Sequence, residues 1–270
     1  MELLNEKYAR LKDILLSYGS LAVAFSGGVD SSFLLKAAHN VLGERVIAIT
    51  AAPVFIPSRE LDEAQDFCIK RNIRQYVIPA EDLKIDSIRH NPPDRCYHCK
   101  RVLFGRILET AAEKGILTVA EGSNVDDLGD YRPGMRAIRE LGVVSPLLDA
   151  GLTKADIRAF SKELGLPTWS KPSFACLASR FVYGETITDE KLSMVDQAEQ
   201  LLMDLGLRQF RVRIHGDLAR IEVLPEDLQR ITEPELRTLI SGKLKEYGFS
   251  YVTLDLVGYR TGSMNEVLKQ

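Results

Sequence analysis

The chain has 270 residues and carries 35 Lys and Arg against 38 Asp and Glu, which gives a net charge of −3 and a pI near 5.9. This balance provides no global electrostatic reason to bind nucleic acid, so we predict no nucleic-acid partner. No apolar run approaches the ~18 residues that a membrane span requires. The N-terminus does not resemble a signal peptide, and we therefore expect a cytoplasmic protein without a membrane partner.

The first part of the chain alternates strands with helices. Helical spacing of apolar residues predicts an opening helix over residues 3–17, and residues 21–25 form a buried strand that leads into a loop at 26–32 and a further helix. More strands are predicted at 46–50, 75–78, 117–120 and near 143–144, and more helices at 58–71 and 98–114. This alternation predicts an α/β fold with a parallel, doubly wound sheet and ligands beyond the carboxyl ends of its strands.

The pattern changes after residue 183. Helices are predicted at 188–205 and 233–247, and strands at 210–214, 219–223 and 251–256. Hairpin-like strands mixed with helices are typical of an α+β domain. We therefore predict two domains, an α/β domain over residues 1–183 and a smaller α+β domain over residues 184–270 that serves substrate binding or oligomerisation.

The loop Ser26-Gly27-Gly28-Val29-Asp30-Ser31-Ser32 has the chemistry of a phosphate site. Its two glycines let the backbone approach an anion, Ser26, Ser31 and Ser32 supply hydroxyl groups, and the following helix presents free N–H groups. Asp30 would repel phosphate, so its predicted role is to hold Mg²⁺ or to cap the helix. The loop lacks the Walker ending and the dinucleotide fingerprint, and we predict that it holds a pyrophosphate.

This loop resembles the signature of the ATP-pyrophosphatase (PP-loop) superfamily, whose members split ATP into AMP and pyrophosphate to adenylate a substrate. The resemblance implies ATP and Mg²⁺ at an adenine nucleotide alpha hydrolase-like domain, with Ala51 and Ala52 beside the adenine. Residues 122–127, after the strand at 117–120, resemble the second nucleotide loop of that superfamily. Ser123 and Asp127 are its candidate contacts to ATP or its metal, although such residues also form ordinary turns.

The four cysteines fall into three classes. Cys68 follows helical spacing and is assigned to the core. Cys96 and Cys99 are three residues apart, where a loop becomes a helix, so both thiols can reach one metal, one cluster or each other. Cys176 lies at the junction of the two predicted domains, which is a common place for an active site. By itself, however, a cysteine between Phe, Ala and Leu is more often a buried apolar residue.

Five segments together resemble the LarE family over essentially the whole length: the phosphate loop and residues 94–100, 122–127, 145–147 and 172–180. The resemblance implies an enzyme that adenylates a carboxylate of pyridinium-3,5-biscarboxylic acid mononucleotide and converts it to a thiocarboxylate. That reaction belongs to the biosynthesis of the nickel-pincer nucleotide, the cofactor of lactate racemase. The resemblance also implies a small-molecule nucleotide substrate and a homo-oligomer such as a hexamer.

The LarE family uses two kinds of sulfur chemistry. In one, a lone cysteine that matches Cys176 attacks the acyl-adenylate and gives up its own sulfur. In the other, three cysteines hold a 4Fe-4S cluster whose unligated iron carries a sulfide. Because this sequence has Cys96, Cys99 and Cys176, it favours the cluster version, in which three thiolates leave one coordination position open.

The second domain offers candidates for substrate binding. Arg211 and Arg213 lie on one face of a strand, since side chains alternate along it, and two adjacent guanidinium groups suit a phosphate. The alternative is an exposed face without a ligand. Because the LarE substrate bears a phosphate, the resemblance favours binding. Glu199 and Glu222 are weaker candidates for a divalent ion.

Three other functions remain open from the sequence. A TtcA-like iron–sulfur enzyme of tRNA thiolation also joins a PP-loop to three cysteines, but the acidic pI disfavours it because such an enzyme needs a basic groove. A non-thiolating amidotransferase-like synthetase would not need three cysteines. A nucleotide-binding regulator without catalysis would not release pyrophosphate.

Overall fold

The computed structural model describes residues 2–83, 86–129, 133–172, 176–260 and 262–264. The chain divides into two compact units, one formed by Met1–Asp86 with Asp94–Ser173 and the other by Ser87–Pro93 with Phe174–Gln270. Residues 87–93 and 176–183, which the sequence analysis assigned to the first domain, therefore belong to the second unit. Asn91 accounts for this, because its side-chain amide donates hydrogen bonds to the carbonyls of Phe181 (2.9 Å) and Val182 (2.7 Å).

The first unit is built on a four-stranded sheet in the order β3-β2-β1-β4, with every pair parallel. Its strands are β1 (Leu21–Ala24), β2 (Val46–Ala51), β3 (Arg74–Ile78) and β4 (Val119–Ala120). Val144 extends the sheet by a single parallel bridge to Ala120. The carboxyl ends of the strands thus share one edge, and the loops that leave β1 and β4 emerge side by side.

In the part of this unit that the structure describes, the sheet is accompanied by the helices α1 (Glu2–Ser17), α2 (Val29–Leu42), α3 (Ser58–Ile69), α4 (Arg95–Glu113), α5 (Pro133–Glu140), α6 (Pro146–Asp149) and α7 (Lys154–Glu163). Side chains of β1 alternate between two cores, because successive residues of a strand point to opposite faces. Val23 packs in one core with Phe33 and Phe160, and Ala22 packs in the other with Phe104. Helices cover both faces, which confirms the predicted α/β fold.

Two helical details of the first unit differ from the sequence prediction. Helices α5, α6 and α7 were not predicted. Helix α4 begins at Arg95 rather than near residue 98, because the N–H of Tyr97 already bonds the carbonyl of Asp94 at 2.8 Å. Cys96 and Cys99 therefore lie in the first two turns of α4, where a loop becomes a helix, as predicted.

The core assignment of Cys68 is confirmed. Its side chain lies in α3, is 1% exposed and packs in the same core as Phe67. Burial raises the pKa of the Cys68 thiol to about 12, because the thiolate would lose its hydration there. This cysteine is therefore a small apolar core residue and not a nucleophile at neutral pH.

The second unit has its own sheet in the order β5-β6-β7, with β5 (Phe210–His215), β6 (Leu218–Val223) and β7 (Tyr251–Leu254). Strands β5 and β6 form an antiparallel hairpin, whereas β7 joins β6 in parallel. Among the described residues it is accompanied by the helices α8 (Asp189–Asp204), α9 (Leu228–Thr232) and α10 (Pro234–Glu246), of which α9 was not predicted. The second unit is thus α+β, and in neither unit does a described helix have the length and apolar character of a membrane span.

Candidate active site

The phosphate loop joins β1 to α2 and is braced from within. The Ser31 hydroxyl lies 3.1 Å from the Ser26 hydroxyl and 3.3 Å from the carbonyl oxygen of Gly28, to which it donates. Helix α2 begins directly after Gly28, so its free N–H groups and the positive end of its dipole lie at this loop. The hydrogen bonds of the Ser31 hydroxyl connect the two sides of the loop, at Ser26 and at Ser31.

A pocket of about 470 Å³ opens beside this loop in the first unit. Its volume is within the range of small-ligand sites. It brings together most of the nucleotide-site residues that the sequence analysis selected: Ser26, Gly28, Asp30, Ser31, Ala51, Ser123 and Asp127. Loops after three different strands of one sheet thus converge on one cavity.

Gly27 and Ser32 are not part of this lining among the described residues. Gly27 has a φ of +71° and packs on α3, where a Cβ would lie 3.2 Å from the Cβ of Ala64. Ser32 is fully buried, and its hydroxyl has no hydrogen-bond partner in the described part of the chain. The predicted contact of the Ser32 hydroxyl with phosphate stays a prediction.

The second loop of the pocket is organised by Glu121, a carboxylate that the sequence analysis did not select. Glu121 is buried and accepts hydrogen bonds from the N–H (3.0 Å) and hydroxyl (2.8 Å) of Ser123 and from the Ser145 hydroxyl (2.5 Å). Asp127 accepts one from the N–H of Asn124 at 2.9 Å. Buried polar groups that are fully bonded hold such a loop rigid.

Lys154, which the sequence analysis also missed, forms an ion pair with Asp30 inside the pocket. Asn124 donates a second hydrogen bond to Asp30 at 3.3 Å. Lys154 is the first residue of α7, which starts with a capping box between Thr153 and Asp156. The sequence Thr-x-x-Asp ahead of an apolar pattern was a readable signal for this helix, but it does not reveal that Lys154 faces the phosphate loop.

The pocket lining is more acidic than basic. Asp30, Glu121, Asp126 and Asp127 contribute carboxylates, and Lys100 and Lys154 contribute ammonium groups. An anionic ligand with several phosphates therefore needs accompanying cations to enter. The carboxylate oxygens of the four acidic side chains are the type of ligand that Mg²⁺ prefers.

Much of the remaining lining is apolar. This apolar part consists of small and aliphatic side chains together with two aromatic rings: Ala24, Phe25, Ile49, Ala51, Pro53, Ile56, Leu103, Phe104 and Ile107. Apolar walls beside a few convergent polar groups are typical of sites for small organic ligands. A ligand with a flat base and a charged tail matches this combination.

Cys176 belongs to the second unit and is half-exposed. Its carbonyl accepts hydrogen bonds from the N–H of Ser179 (3.0 Å) and the guanidinium of Arg180 (3.3 Å). Arg180 is buried and donates to both carboxylate oxygens of Glu199, at 2.7 and 2.8 Å. A bidentate buried ion pair thus anchors the backbone at Cys176.

Arg211 and Arg213 share a face of β5, as predicted from their spacing, but both are buried. Arg213 donates to both carboxylate oxygens of Glu222 (3.2 and 3.0 Å) and to the carbonyl of Ser179 (2.8 Å). Burial, together with the nearby charges of Arg180 and Arg213, lowers the pKa of Arg211 to about 10. Glu199 and Glu222, the candidates for a divalent ion, each have an arginine partner.

The two cysteines of α4 differ in exposure, since Cys96 is exposed and Cys99 is half-buried. They occupy positions i and i+3 of one helix, so they share a face. Neither unit, over the residues that the structure describes, gathers three His, Cys, Asp or Glu side chains in an arrangement that could hold a metal ion.

Comparison with known proteins identifies the family, although no protein-family model matches the chain. The chain is 40% identical over 266 residues to an uncharacterized protein of Synechocystis sp., covering 98% of this chain and 99% of the relative. It is 38% identical over 270 residues to the pyridinium-3,5-bisthiocarboxylic acid mononucleotide synthase of Lactiplantibacillus plantarum, covering 99% and 97%. The chain belongs to the LarE family. This LarE-family chain is also 26% identical over 272 residues to one of the subunits of the glutamine-hydrolyzing GMP synthase of Thermoplasma acidophilum, covering 92% and 82%.

The close approach of the two nucleotide loops gives a first prediction. A Cβ at Gly122 would lie 3.0 Å from the backbone nitrogen of Ser31 and 3.2 Å from the Cβ of Asp30. Gly122→Ala should therefore displace the phosphate loop and weaken ATP binding about tenfold, or about 1.4 kcal/mol, in isothermal titration calorimetry.

Gly105→Ala is the matched control for this prediction. Gly105 lies in α4, and a Cβ there meets no atom within 4 Å. Alanine in a helix interior is favoured by up to ~1 kcal/mol over glycine, so this variant should be at least as stable as the parent and bind ATP equally well. Equal ATP affinity in both variants would contradict the proposed close fit of the loops.

Proposed function

We propose that the protein is an ATP-dependent sulfurtransferase that adenylates a carboxylate of pyridinium-3,5-biscarboxylic acid mononucleotide and converts it to a thiocarboxylate. The reaction belongs to the biosynthesis of the nickel-pincer nucleotide of lactate racemase. The observation that carries the proposal is the pocket where the phosphate loop and the second loop meet apolar walls. It occurs in a chain that aligns end to end with a bisthiocarboxylate synthase.

Adenylation uses the pocket as follows. A carboxylate oxygen of the substrate attacks the α-phosphorus of ATP, a new P–O bond forms, and the bond to the departing pyrophosphate breaks. The N–H of Gly28, the hydroxyl of Ser26 and the start of α2 bind the pyrophosphate, because a helix N-terminus favours negative charge. The adenine occupies the apolar side of the pocket beside Ala51.

The pocket carries more acidic than basic side chains, so its residues would fit an ATP that is accompanied by Mg²⁺. Asp30 and Asp127 supply carboxylate oxygens for the ion, which is the ligand type that Mg²⁺ prefers. Lys154 and Lys100 line the same pocket, and their ammonium groups would pair with phosphate oxygens and offset the charge that develops on the leaving pyrophosphate. When bound, Mg²⁺ would supply further positive charge there.

Sulfur then replaces AMP on the acyl group. A sulfur nucleophile attacks the carbonyl carbon, a C–S bond forms, and the C–O bond to AMP breaks. The source is either the sulfur of Cys176 itself, which would leave dehydroalanine when its Cβ–S bond breaks, or a cluster-bound sulfide. The donors for a 4Fe-4S cluster would be Cys96 and Cys99, on one face of α4, together with Cys176. When bound, such a cluster supplies sulfide from the iron that lacks a protein ligand.

The second unit is proposed to bind the rest of the substrate and to mediate self-association into a homo-oligomer such as a hexamer. Its Arg211 is the candidate for the substrate phosphate. A guanidinium whose pKa is lowered by burial and neighbouring positive charges is stabilised when an anion binds beside it. The cellular site proposed for this reaction is the cytoplasm, and the relatives favour the small nucleotide over tRNA as the substrate.

Asp30→Asn tests the proposed reaction. The substitution keeps the size of the side chain but removes the charge that holds Mg²⁺, so pyrophosphate release with the pyridinium acid should fall about a hundredfold or more. The control is Asp13→Asn, which removes the same charge from an exposed position of α1. Normal pyrophosphate release by a folded Asp30→Asn variant would remove Asp30 from the mechanism.

The two arginines of β5 should respond differently to substitution. Arg211→Ala should raise the KM for the nucleotide acid about tenfold or more, as loss of a charge-assisted hydrogen bond does. Arg213→Ala should in addition lower the free energy of unfolding by about 2 kcal/mol, because it removes two charge-assisted hydrogen bonds from the buried Glu222, which keeps its ion pair with Arg220. Steady-state kinetics and thermal unfolding measure both effects, and an unchanged KM in Arg211→Ala would place that residue outside the substrate site.

The variant Cys96→Ser distinguishes a cluster-bound sulfide from the sulfur of Cys176 as the sulfur source. If Cys96, Cys99 and Cys176 hold one cluster, the variant should lose iron and sulfide after anaerobic purification and lose repeated turnover, since a hydroxyl is a poor ligand for a soft site. Cys68→Ala is the control, because Cys68 is a core residue and its loss should leave the iron content unchanged.

If Cys176 is sacrificed instead, Cys96→Ser should complete about one sulfur transfer per chain. Mass spectrometry of the wild-type protein would then find Cys176 lighter by the elements of hydrogen sulfide. That mass loss in protein without iron would eliminate the cluster and leave ATP-driven sulfur transfer standing.

A further inference from the structure

Lys171 is a mostly buried lysine of the first unit that the proposed chemistry does not use. Its side chain is 13% exposed, and its ammonium lies 2.7 Å from the carboxylate of Glu60 and 2.6 Å from that of Glu63, both on α3. A third hydrogen bond, at 3.4 Å, goes to the carbonyl oxygen of Gly27 in the phosphate loop. Lys171 thus connects the loop to the first turns of α3.

The hydrogen bond from Lys171 to the carbonyl of Gly27 is related to the direction in which the N–H of Gly28 points. In a planar trans peptide, the carbonyl of one residue and the N–H of the following residue point in opposite directions. The carbonyl of Gly27 faces Lys171 at α3, and Gly27 itself packs against Ala64. The N–H of Gly28 therefore points away from Lys171, and Gly28 lines the pocket.

Two consecutive glycines make this peptide easy to rotate. Glycine adopts left- and right-handed conformations with similar ease, and Gly27 already has a φ of +71°. A peptide that rotates freely would present either its N–H or its carbonyl to an incoming phosphate, and the carbonyl would repel it. An anion site gains affinity when such a donor is fixed beforehand.

We propose that Lys171 is a positioning residue that fixes the peptide between Gly27 and Gly28 so that the N–H of Gly28 faces the pocket. This sets the affinity of the loop for the pyrophosphate part of ATP. The inference rests on the proposed function, in which the loop binds that group. Lys171 acts through the loop backbone and not through contact with the substrate.

The test uses full-length Lys171→Met and inorganic pyrophosphate with Mg²⁺ as the probe. Isothermal titration should show pyrophosphate affinity lowered about tenfold or more. In the wild-type protein, labelled with ¹⁵N-glycine, the Gly28 amide resonance should shift when pyrophosphate is added, and in Lys171→Met this shift should be lost. A residue with a merely structural role would change thermal stability and leave the pyrophosphate affinity of the folded protein unchanged.

Lys7→Met is the matched control. Lys7 forms a 2.6 Å ion pair with Asp156 in the same unit, is 25% exposed on its side chain, and is not among the residues that line the pocket. The Lys7→Met variant loses the same charge and one ion pair, and its affinity for pyrophosphate should equal that of the wild-type protein. Lys171→Arg, which keeps both the charge and the donor, should recover most of the affinity.

The outcomes separate this inference from the function on which it rests. Failure of the wild-type protein to bind pyrophosphate and ATP would overturn the proposed function. Normal binding by the wild type together with equal affinity and an unchanged Gly28 shift in Lys171→Met would overturn the role of Lys171 alone.

A second variant covers the case in which Lys171→Met does not fold. Lys171→Gln keeps a donor for the Gly27 carbonyl but no charge, and its pyrophosphate affinity should stay within about threefold of the wild type. A tenfold loss in that variant would assign the effect to charge and overturn the positioning role.

Discussion

The parallel pairing of β1 with β4 is the constraint on which the nucleotide site depends. Ala22 pairs with Val119 and Val23 with Ala120, so the two strands end at the same edge and their loops leave side by side. At the meeting point Gly122 comes so close to the backbone of Ser31 that a Cβ would lie 3.0 Å from its nitrogen. The phosphate loop is therefore held by the sheet, by the second loop and, on its other side, by α3. The strand order thus brings the two loops together, and contacts from side chains such as Lys171 act on the phosphate loop in addition.

Charge organises the two units in different ways. In the pocket beside the phosphate loop the acidic side chains exceed the basic ones, and Asp30 is paired with Lys154. In the second unit arginines and glutamates are buried as bidentate pairs, Arg180 with Glu199 and Arg213 with Glu222. Arg180 also bonds the carbonyl of Cys176, and Arg213 bonds the carbonyl of Ser179, so these pairs hold the backbone of the Cys176 segment in place.

Much of this fold was predictable from the sequence because its strands are short apolar runs and its phosphate loop has a specific chemistry. Helices α5 and α7 were missed because they lie in a polar region, although the capping box at Thr153 indicated α7. Lys154, Lys171 and Glu121 were missed for another reason. Each meets residues of the loops or of α3 that are distant in the chain, and sequence spacing carries no information about such contacts. The burial of Arg211 and Arg213 could not be predicted either, because the alternation of side chains along a strand shows that two residues share a face but not what covers that face.

The central claim is that a carboxylate of the substrate is activated by transfer of AMP. Its most direct test is mass spectrometry of the AMP formed from substrate whose carboxylates carry ¹⁸O. Attack of a carboxylate oxygen on the α-phosphorus, followed by attack of sulfur on the carbonyl carbon, leaves one substrate oxygen on AMP. The account predicts AMP that contains one ¹⁸O atom for each thiocarboxylate formed. Formation of ADP and phosphate, or of AMP without the label, would contradict it.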